Sequence, residues 1–408
     1  MEINNLERVY VIEPIIKEEI SVEYLKNEIF SLIESANALP VHFNAVKLRE
    51  ITPATFIGKG KVEEIREDVI NLDIDTVIFD GALSPSQTLN LRDALEVKVI
   101  DRTTLILDIF ASSASTHEGK LQVELAQNKY LYPRLKGKGQ ALSRLGGGIG
   151  TRGPGETQLE TDRRHIKERI LKLEQELDEL ENRRKLQVYR REKNEEFVIS
   201  LVGYTNVGKS TLLNKLTGAD VLVKNQLFAT LDPTVRKAKI NGVNVLITDT
   251  VGFIREIPHD LINAFKSTLE AATQADLILV VCDATQDFSE QLKVTTSTLE
   301  GLNATSEIIT VLNKCDELDT VENLPNDYVL ISAKHGKNLN ELFERIEKVL
   351  NKYYVKKEFE INYENLKNFT PLTKYLDDFE LVYNNDNVLC KATLKKLHLD
   401  KFSKFKSN

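Results

Sequence analysis

The chain has 408 residues, a formal net charge of −8 at pH 7, and a hydrophobic content of 41%. This length suggests two to four domains, and the composition excludes a disordered protein because it supplies enough apolar residues for ordinary cores. Cys282, Cys315 and Cys390 are few, odd in number and far apart, which argues against a disulfide framework or a metal cluster and fits a reducing compartment.

The N-terminus lacks the basic and then apolar order of a signal peptide, and the longest apolar run, residues 277–282, is too short to span a bilayer. We therefore expect a cytoplasmic protein without a membrane span.

Residues 1–110 alternate strand and helix patterns, which predicts a small α/β domain. The predicted strands lie at residues 9–12, 41–48, 76–79 and 98–100, and the predicted helices at residues 22–36, 61–70, 84–95 and 103–110. The glycines and lysines at residues 58–61 suggest phosphate binding, but they lack the spacing and hydroxyl of a phosphate loop. A glycine turn that caps a helix is the favoured interpretation.

Residues 111–195 predict an antiparallel helical hairpin. The first helix is marked by Leu121, Leu125 and Leu135. The second carries apolar residues in alternating steps of four and three, which is the heptad spacing of packed helices. These residues are Ile166, Ile170, Leu173, Leu177 and Leu180.

Between the two helices, residues 136–161 hold eight of the nineteen glycines of the chain, which predicts a mobile loop. From residue 134 to residue 165, seven basic and three acidic residues give a net charge of +4, opposite in sign to the whole chain. A flexible basic loop suits RNA, which is bound through its phosphates, although a solvated linker has the same composition. The candidate RNA contacts are Arg134, Lys136, Lys138, Arg144, Arg152, Arg163 and Arg164.

Residues 196–355 predict a nucleotide-binding domain with a mixed, mostly parallel sheet. Residues 203–210 fit the phosphate loop GxxxxGK[ST], between a strand pattern at residues 197–202 and a helix pattern. In such a loop Lys209 reaches the β- and γ-phosphates and Ser210 ligates Mg²⁺. The candidate nucleotide contacts here are Gly203, Tyr204, Thr205, Asn206, Val207, Gly208, Lys209, Ser210 and Thr211.

Two segments downstream have the features of GTPase switches. Thr230 is the favoured hydroxyl that closes onto Mg²⁺, with Thr234 as the alternative. In the DxxG motif, Asp249 holds Mg²⁺ through water and the Gly252 N–H senses the γ-phosphate. The candidate contacts are Phe228, Ala229, Thr230, Leu231, Asp232, Asp249, Thr250, Val251 and Gly252. Lys209, Thr230 and Gly252 are the predicted catalytic residues.

An NKxD motif and a later SAK motif predict the choice of base. A carboxylate at Asp316 accepts from both N1–H and N2 of guanine, whereas adenine has no such donor pair. Ala333 is predicted to offer its N–H to guanine O6. The candidate base contacts are Asn313, Lys314, Cys315, Asp316, Ser332, Ala333 and Lys334.

Residues 356–408 predict a small α+β domain. Phe359, Ile361 and Tyr363 alternate as in a half-buried strand, residues 366–376 are predicted to be helical, and residues 379–383 and 388–392 predict a hairpin. From residue 391 onward, six lysines accompany one aspartate. Contact with ribosomal RNA or protein and a solubilising tail are both open interpretations.

The nucleotide motifs together resemble those of translation-factor-class GTPases. Residues 58–61, 116–122, 153–164 and 228–234 in addition resemble the HflX family of bacterial GTPases. The resemblance implies an N-terminal domain of α/β unit and helical hairpin, binding of the large (50S) ribosomal subunit, and a glycine-rich loop directed at the peptidyl-transferase region. Asn206 resembles an asparagine that coordinates a stimulatory K⁺ in some related GTPases, with a plain loop asparagine as the alternative.

From this resemblance we expect a GTP-hydrolysing factor that dissociates 70S ribosomes, or hibernating 100S ribosomes, under stress. Hydrolysis is expected to be slow alone and stimulated by ribosomes, because Phe253 after DxxG cannot orient the attacking water. The alternative is a nucleotide-gated protein that binds rRNA or assists ribosome assembly, with incidental hydrolysis. The expected partners are GTP or GDP, Mg²⁺, the 50S subunit and rRNA. We expect a monomer in the cytoplasm, partly associated with ribosomes or the membrane.

Overall fold

The computed structural model describes residues 6–16, 21–143, 154–194, 196–218, 234–250, 252–255, 273–318 and 327–407. The chain divides into two compact units. The first comprises Met1–Gln187, Lys224–Asp232 and Ile254–Ser267, and the second comprises Val188–Val223, Pro233–Phe253 and Thr268–Asn408. No helix in the described part of the chain is both long enough and apolar enough to cross a membrane.

The first unit begins with a four-stranded parallel sheet in the order β2-β1-β3-β4. The strands are β1 (Arg8–Ile15), β2 (Leu39–Lys47), β3 (Thr76–Phe79) and β4 (Lys98–Asp101). The helices are α1 (Val22–Ser35), α2 (Lys59–Asn71), α3 (Pro85–Leu95) and α4 (Arg102–Ser113). The predicted α/β alternation is confirmed, and Gly58 precedes α2 as its N-terminal cap residue, which confirms the glycine-turn interpretation.

The helical hairpin consists of α5 (His117–Ser143) and α6 (Pro154–Asn194). Leu121, Leu125 and Leu173 are buried together between these helices, with Ile170 and Leu177 packed against them. Glu124 receives two hydrogen bonds of 2.6 Å from the Arg169 guanidinium, one to each carboxylate oxygen. The heptad pattern therefore predicted the packed face of α6 correctly.

The predicted loop at residues 136–161 is wrong at both ends. Residues 136–143 continue α5, and residues 154–161 already belong to α6. Isolated glycines such as Gly137 and Gly139 cost a helix about 1 kcal/mol each, which does not end a helix that good helix formers continue. Pro154 suits a first helical position because its missing N–H would have no helical partner there. The remaining residues, 144–153, lie outside the described part of the chain.

The second unit contains a six-stranded sheet in the order β10-β9-β8-β5-β7-β6, in which only the pair β6 and β7 is antiparallel. The strands are β5 (Phe197–Gly203), β6 (Thr234–Ile240), β7 (Val243–Asp249), β8 (Leu277–Asp283), β9 (Glu307–Asn313) and β10 (Val329–Leu330). The helices are α7 (Lys209–Thr217), α8 (Phe288–Gly301) and α9 (Leu339–Tyr353). The mixed, mostly parallel sheet agrees with the sequence prediction.

A glycine at the end of β5 permits close contact with its neighbour β8. Gly203 has a φ of 155°, and a Cβ atom placed there would lie 2.0 Å from the carbonyl oxygen of Val281. A larger residue would therefore push β5 and β8 apart at the point where the phosphate loop begins.

The chain ends in a small antiparallel sheet in the order β12-β13-β11-β14. Its strands are β11 (Tyr354–Asn362), β12 (Leu376–Tyr383), β13 (Asn387–Lys395) and β14 (Lys406–Ser407). The predicted hairpin is confirmed as β12 and β13. Phe359, Phe369 and Phe402 are buried in the core of this region.

The helix predicted at residues 366–376 is wrong in extent. Only α10 (Leu366–Phe369) is α-helical, and Thr370–Tyr375 forms a 3₁₀ helix before β12 begins. Pro371 explains the change because proline cannot donate the hydrogen bond that continues an α-helix. Tyr363 lies just beyond the end of β11 and is exposed.

The lysine-rich end is anchored, since His398 and Phe402 in its 3₁₀ turn are buried, so a free solubilising tail is the wrong description.

Candidate nucleotide-binding site

The phosphate loop lies between the carboxyl end of β5 and the first residue of α7. Gly208, immediately before α7, has a φ of 92°, a left-handed conformation that glycine adopts without strain. The first turn of α7 leaves N–H groups without helical partners and carries the positive end of the helix dipole. Residues 203–210 thus form a loop suited to binding phosphate.

Lys209 places its ammonium group inside the phosphate loop. The side chain is buried, and Nζ donates to the carbonyl oxygens of Gly203 at 3.1 Å and Tyr204 at 2.7 Å. Burial lowers the pKa of Lys209 to about 8, although the nearby Asp249 carboxylate favours the charged form. A phosphate would therefore meet a poorly hydrated ammonium group, to which electrostatic attraction is stronger than in bulk water.

Ser210 and Asp249 bring two oxygen donors together. The Ser210 hydroxyl lies 2.7 Å from Asp249 Oδ2, and Thr250 Oγ1 donates to the Leu201 carbonyl at 2.8 Å, which fixes the end of β7 against β5. A hydroxyl and a carboxylate are ligands that Mg²⁺ prefers, so this donor set fits the metal. Thr234, the alternative switch threonine, begins β6 directly opposite Asp249.

Several predicted contacts cannot be placed because they lie outside the described residues. These are Phe228, Ala229, Thr230, Leu231, Asp232 and Val251.

Gly252 and Phe253 lie against the phosphate loop. The Phe253 N–H donates to the Gly203 carbonyl at 3.0 Å, and the Thr205 N–H donates to the Phe253 carbonyl at 2.8 Å. A Cβ atom on Gly252 would lie 2.8 Å from Thr205 Cα and 3.0 Å from Lys209 Nζ, so this position requires glycine. The Phe253 side chain is buried, which keeps it from contacting a water molecule at the phosphates.

Asn313 connects three of the predicted motifs. Its Nδ2 donates to the Val207 carbonyl at 2.8 Å, and its Oδ1 accepts from the Ala333 N–H at 2.8 Å. A Cβ atom on Gly208 would come within 2.3 Å of Asn313 Nδ2, so Gly208 also makes room for this asparagine. The Ala333 N–H predicted to face guanine O6 is thus engaged by Asn313 in this structure.

Asp316 and Lys314 follow β9 on a short 3₁₀ turn. A hydrogen bond from the Ser332 side chain lowers the pKa of Asp316, so the group is a carboxylate at neutral pH and is suited to accept from guanine. His335 Nε2 lies 3.3 Å from Asp316 Oδ2. Cys315, the variable residue of NKxD, lies between Lys314 and Asp316 and is partly exposed.

Asp283 is a residue of the site that the sequence analysis missed. Its Oδ2 lies 2.5 Å from Lys314 Nζ, and it ends the buried strand β8 beside β9. A carboxylate at the carboxyl end of a wholly apolar strand was the signal that could have revealed it. Asp283 holds Lys314, whose φ of 68° is unusual for a lysine.

The predicted RNA contacts have different environments. The Arg134 guanidinium donates to the Leu83 carbonyl at 2.9 Å, lies 3.1 Å from Asp101 Oδ2, and stacks 3.3 Å from the Tyr130 ring centre. Arg134 therefore braces α5 against β4 in this structure. Arg164 is 69% exposed, and Arg163 lies over the Tyr132 ring at 5.3 Å.

Four other predicted RNA contacts cannot be evaluated in this way. The side chains of Lys136 and Lys138, and all of Arg144 and Arg152, lie outside the described part of the chain.

The carboxyl ends of β5, β7, β8 and β9 therefore carry a phosphate loop, a magnesium-type donor pair and a guanine-type carboxylate. This combination on a mostly parallel sheet defines a P-loop GTPase.

Family comparisons extend this classification over most of the chain. Residues 23–111 match the family described as GTP-binding GTPase N-terminal, and residues 113–191 match GTP-binding GTPase Middle Region. Residues 198–314 match the family described as 50S ribosome-binding GTPase.

Relatives of nearly full length identify the family. GTPase HflX of Caldanaerobacter subterraneus subsp. tengcongensis is 50% identical over 369 residues, which cover 90% of this chain and 86% of the relative. GTPase HflX of Escherichia coli K12 is 46% identical over 331 residues, 78% of this chain and 77% of the relative. The chain belongs to the GTPase HflX family, and it hydrolyses GTP.

A solved structure is also similar to this chain. It is a GTP-binding protein from the archaeon Sulfolobus solfataricus in complex with GDP, with 25% identity, coverage of 85% of this chain and 99% of that chain, and a TM-score of 0.46.

Proposed function

We propose that this GTPase binds the large ribosomal subunit and that its GTP form separates stalled or idle 70S ribosomes, or 100S dimers, under stress. The observation that carries the proposal is the match of residues 198–314 to the family described as 50S ribosome-binding GTPase. The site described above supports it because it can hold guanine, phosphate and a divalent cation together. Hydrolysis would then permit release from the subunit.

The helical hairpin supports ribosomal RNA as the bound surface. Arg163 and Arg164 lie near the start of α6, beside the glycine-rich segment, and Arg164 is largely exposed. Arginine suits RNA because its planar guanidinium binds phosphate and stacks on bases. We propose that these two residues contact rRNA together with Lys136, Lys138, Arg144 and Arg152.

The geometry of the described residues supports several of the nucleotide roles proposed from the sequence. Ser210 would hold Mg²⁺ directly and Asp249 through water, with the Thr230 hydroxyl as a further ligand. When bound, Mg²⁺ supplies positive charge that neutralises the β- and γ-phosphate oxygens. Lys209 and Gly252 would contact the γ-phosphate, and Asp316 would select guanine.

The proposal that a K⁺ ion stimulates hydrolysis rests on Asn206 alone, as the residue that would coordinate it. This residue has a φ of 60° in the phosphate loop, a conformation that asparagine tolerates without any bound ion. Equal single-turnover hydrolysis rates in K⁺ and in Na⁺ would remove the proposal.

Sedimentation of 70S ribosomes tests the main proposal against the alternative of a nucleotide-gated rRNA-binding or assembly protein. With excess protein and a non-hydrolysable GTP analogue, we expect the 70S peak to divide into subunit peaks, with the protein on the large subunit. Intact 70S particles that carry bound protein would favour the alternative. GDP in place of the analogue should leave 70S particles intact, and Lys209→Met, which removes the phosphate contact, should match the GDP result.

A further inference from the structure

The turn that carries the guanine-type carboxylate is preceded by a lysine in an unusual backbone conformation. Lys314 has a φ of 68° and comes directly before the 3₁₀ turn Cys315–Glu317, which contains Asp316. The left-handed region is unfavourable for a lysine, and mostly glycine, asparagine and aspartate adopt it. Such a conformation persists only where the surrounding structure holds it, so contacts from outside the turn have to stabilise Lys314.

Asp283 supplies such a contact from the end of the neighbouring strand β8. Its Oδ2 lies 2.5 Å from Lys314 Nζ, and the exposed fractions of the two side chains are 2% for Asp283 and 25% for Lys314. Because water reaches this pair poorly, the attraction is stronger than between two exposed charges. The ion pair therefore restrains the side chain of Lys314 and, through it, the backbone at the start of the turn.

Asp283 is itself fixed by groups that do not belong to the turn. Its Oδ1 accepts from the Thr285 N–H at 3.0 Å and from the Thr285 hydroxyl at 2.6 Å. Its backbone N–H donates at 2.9 Å to Oε1 of Gln291, a buried residue of α8. Asp283 also pairs with Asn313 in the register of β8 and β9. The carboxylate therefore offers Oδ2 to Lys314 from a rigid position.

One further contact limits how far the turn can move. The Cys315 N–H donates to the Ile331 carbonyl at 3.0 Å. Loss of the ion pair between Asp283 and Lys314 should therefore displace Asp316 without unfolding the turn. A displacement of this kind reduces the contact with the base, because a binding group must lie within about 0.5 Å of its productive position.

We propose that Asp283 is a positioning residue for guanine recognition. Through Lys314 it holds the turn so that the two carboxylate oxygens of Asp316 meet the N1–H and the N2 amine of the base. The placement of Asp316 then governs the selectivity of the site as well as its affinity, because a base without the N2 amine loses one of the two hydrogen bonds. This inference rests on the proposed selection of guanine by Asp316.

The test compares GDP with inosine diphosphate, whose base keeps N1–H and lacks the N2 amine. Dissociation constants of the full-length protein are measured for both, with Mg²⁺ and without ribosomes. In Asp283→Asn the side-chain oxygen can keep both bonds from Thr285, while an amide nitrogen that cannot accept replaces Oδ2 beside Lys314. One hydrogen bond to a carboxylate accounts for a preference of about 10- to 100-fold, and we expect the preference for GDP to fall by about fivefold or more.

Two comparisons locate the effect at the base and at Lys314. The ratio of the constants for GDP and for a non-hydrolysable GTP analogue should stay unchanged in Asp283→Asn, because the two nucleotides share the base. Lys314→Met removes the ammonium group and keeps an unbranched side chain. In this background Asp283→Asn should not lower the GDP preference further, since no ammonium group remains for Asp283 to hold. A full additional loss would show that Asp283 acts by another route.

Two further variants separate positioning from loss of stability. Thr285→Val keeps the shape of the residue and removes the hydroxyl that donates to Asp283, so it should lower the GDP preference in the same direction. Asp287→Ala removes the side chain that caps α8 by accepting from the N–H groups of Ser289 at 3.1 Å and Glu290 at 3.3 Å. Loss of this cap should lower the unfolding temperature and leave the GDP preference unchanged.

The outcomes distinguish this inference from the proposed function. If the wild-type protein binds GDP and inosine diphosphate equally, Asp316 does not select guanine and the proposed role of the site is wrong. The positioning role of Asp283 is wrong if the wild-type protein prefers GDP and Asp283→Asn keeps that preference, or if Asp287→Ala lowers it equally. Thr285→Val decides the question if Asp283→Asn does not fold.

Discussion

Asp316 is the residue that we propose selects guanine over other bases. Its ionised carboxylate can accept two hydrogen bonds from guanine, and bonds to a charged group contribute about 1.5–3 kcal/mol. We expect Asp316→Asn to weaken GDP and GTP binding on the order of 10- to 100-fold. Xanthine has a carbonyl where guanine has its amine, so the asparagine amide should improve the binding of xanthosine nucleotides.

Competition against a fluorescent guanine nucleotide measures both effects of the Asp316 substitution. Asp386→Asn, the same change in the exposed turn between β12 and β13, should alter neither affinity. Unchanged guanine affinity in Asp316→Asn would contradict the assigned role.

Lys209 should make nucleotide binding depend on pH in a defined direction. Its pKa of about 8 means that most molecules carry a neutral amine at pH 9 and an ammonium at pH 7. Bound phosphate favours the ammonium and raises this pKa, so binding at pH 9 should take up roughly one proton, and binding at pH 7 only about a tenth of one. Calorimetry of GDP and Mg²⁺ binding in two buffers of different ionisation enthalpy measures this uptake. Zero uptake at pH 9 would show that the buried amine does not meet the phosphate.

The sequence predicted the residues of the nucleotide motifs but not the hydrogen bonds between them. GxxxxGK[ST] and NKxD have fixed internal spacing, so Lys209 and Asp316 could be assigned before the structure. The bond from Asn313 to Val207 joins residues far apart in sequence. Likewise, Arg134 counts as a basic loop residue in the sequence, and only the fold places it beside Asp101.

At the scale of elements, the packed face of the hairpin provides a matched test. Leu173 is fully buried between α5 and α6, whereas Leu171, two positions earlier on α6, is 52% exposed. Leu173→Ala should destabilise the hairpin by about 2–4 kcal/mol, because it removes buried methyl groups and leaves a cavity. Leu171→Ala should change stability by about 0.5 kcal/mol or less. Hydrogen exchange of the α5 and α6 amides reports the difference, and equal protection in both variants would contradict the observed packing.

Element types could be predicted from periodicity, whereas some element ends could not. The steps of four and three along α6 predict the face that packs, because Leu173 is buried and three of the other repeating residues, Ile170, Leu177 and Leu180, pack against the same cluster. Glycine frequency was a poor guide at residues 136–143, where a helix tolerates Gly137 and Gly139. In the C-terminal region Pro371 was a usable signal for the change from α-helix to 3₁₀ helix, and the sequence analysis did not use it.

At the scale of the whole molecule, the sequence predicted an α/β region, a hairpin, a GTPase sheet and a small C-terminal sheet in the observed order. It did not predict a cluster of buried charged side chains in the first unit, where Arg102 lies 2.7 Å from Asp80 and Glu13 is buried. Glu13, Asp80 and Arg102 have the composition of an ordinary surface, and their burial depends on how α4 and the parallel sheet pack. The local sequence pattern cannot predict such a cluster, because its stability comes from ion pairs between residues that are distant in the sequence.

Hydrolysis itself should depend on the ribosome. The Phe253 side chain is buried and its backbone is bound to Gly203 and Thr205, so it cannot orient the attacking water, and residues 203–210 contain no arginine. A large subunit that supplies or positions one donor at the phosphates should accelerate single-turnover GTP hydrolysis on the order of 10²-fold or more. Small subunits at the same concentration should not. Arg163→Gln combined with Arg164→Gln should leave the intrinsic rate unchanged and raise the concentration of large subunits needed for half-maximal stimulation. Equal rates with and without large subunits would mean that GTP turnover is independent of the ribosome.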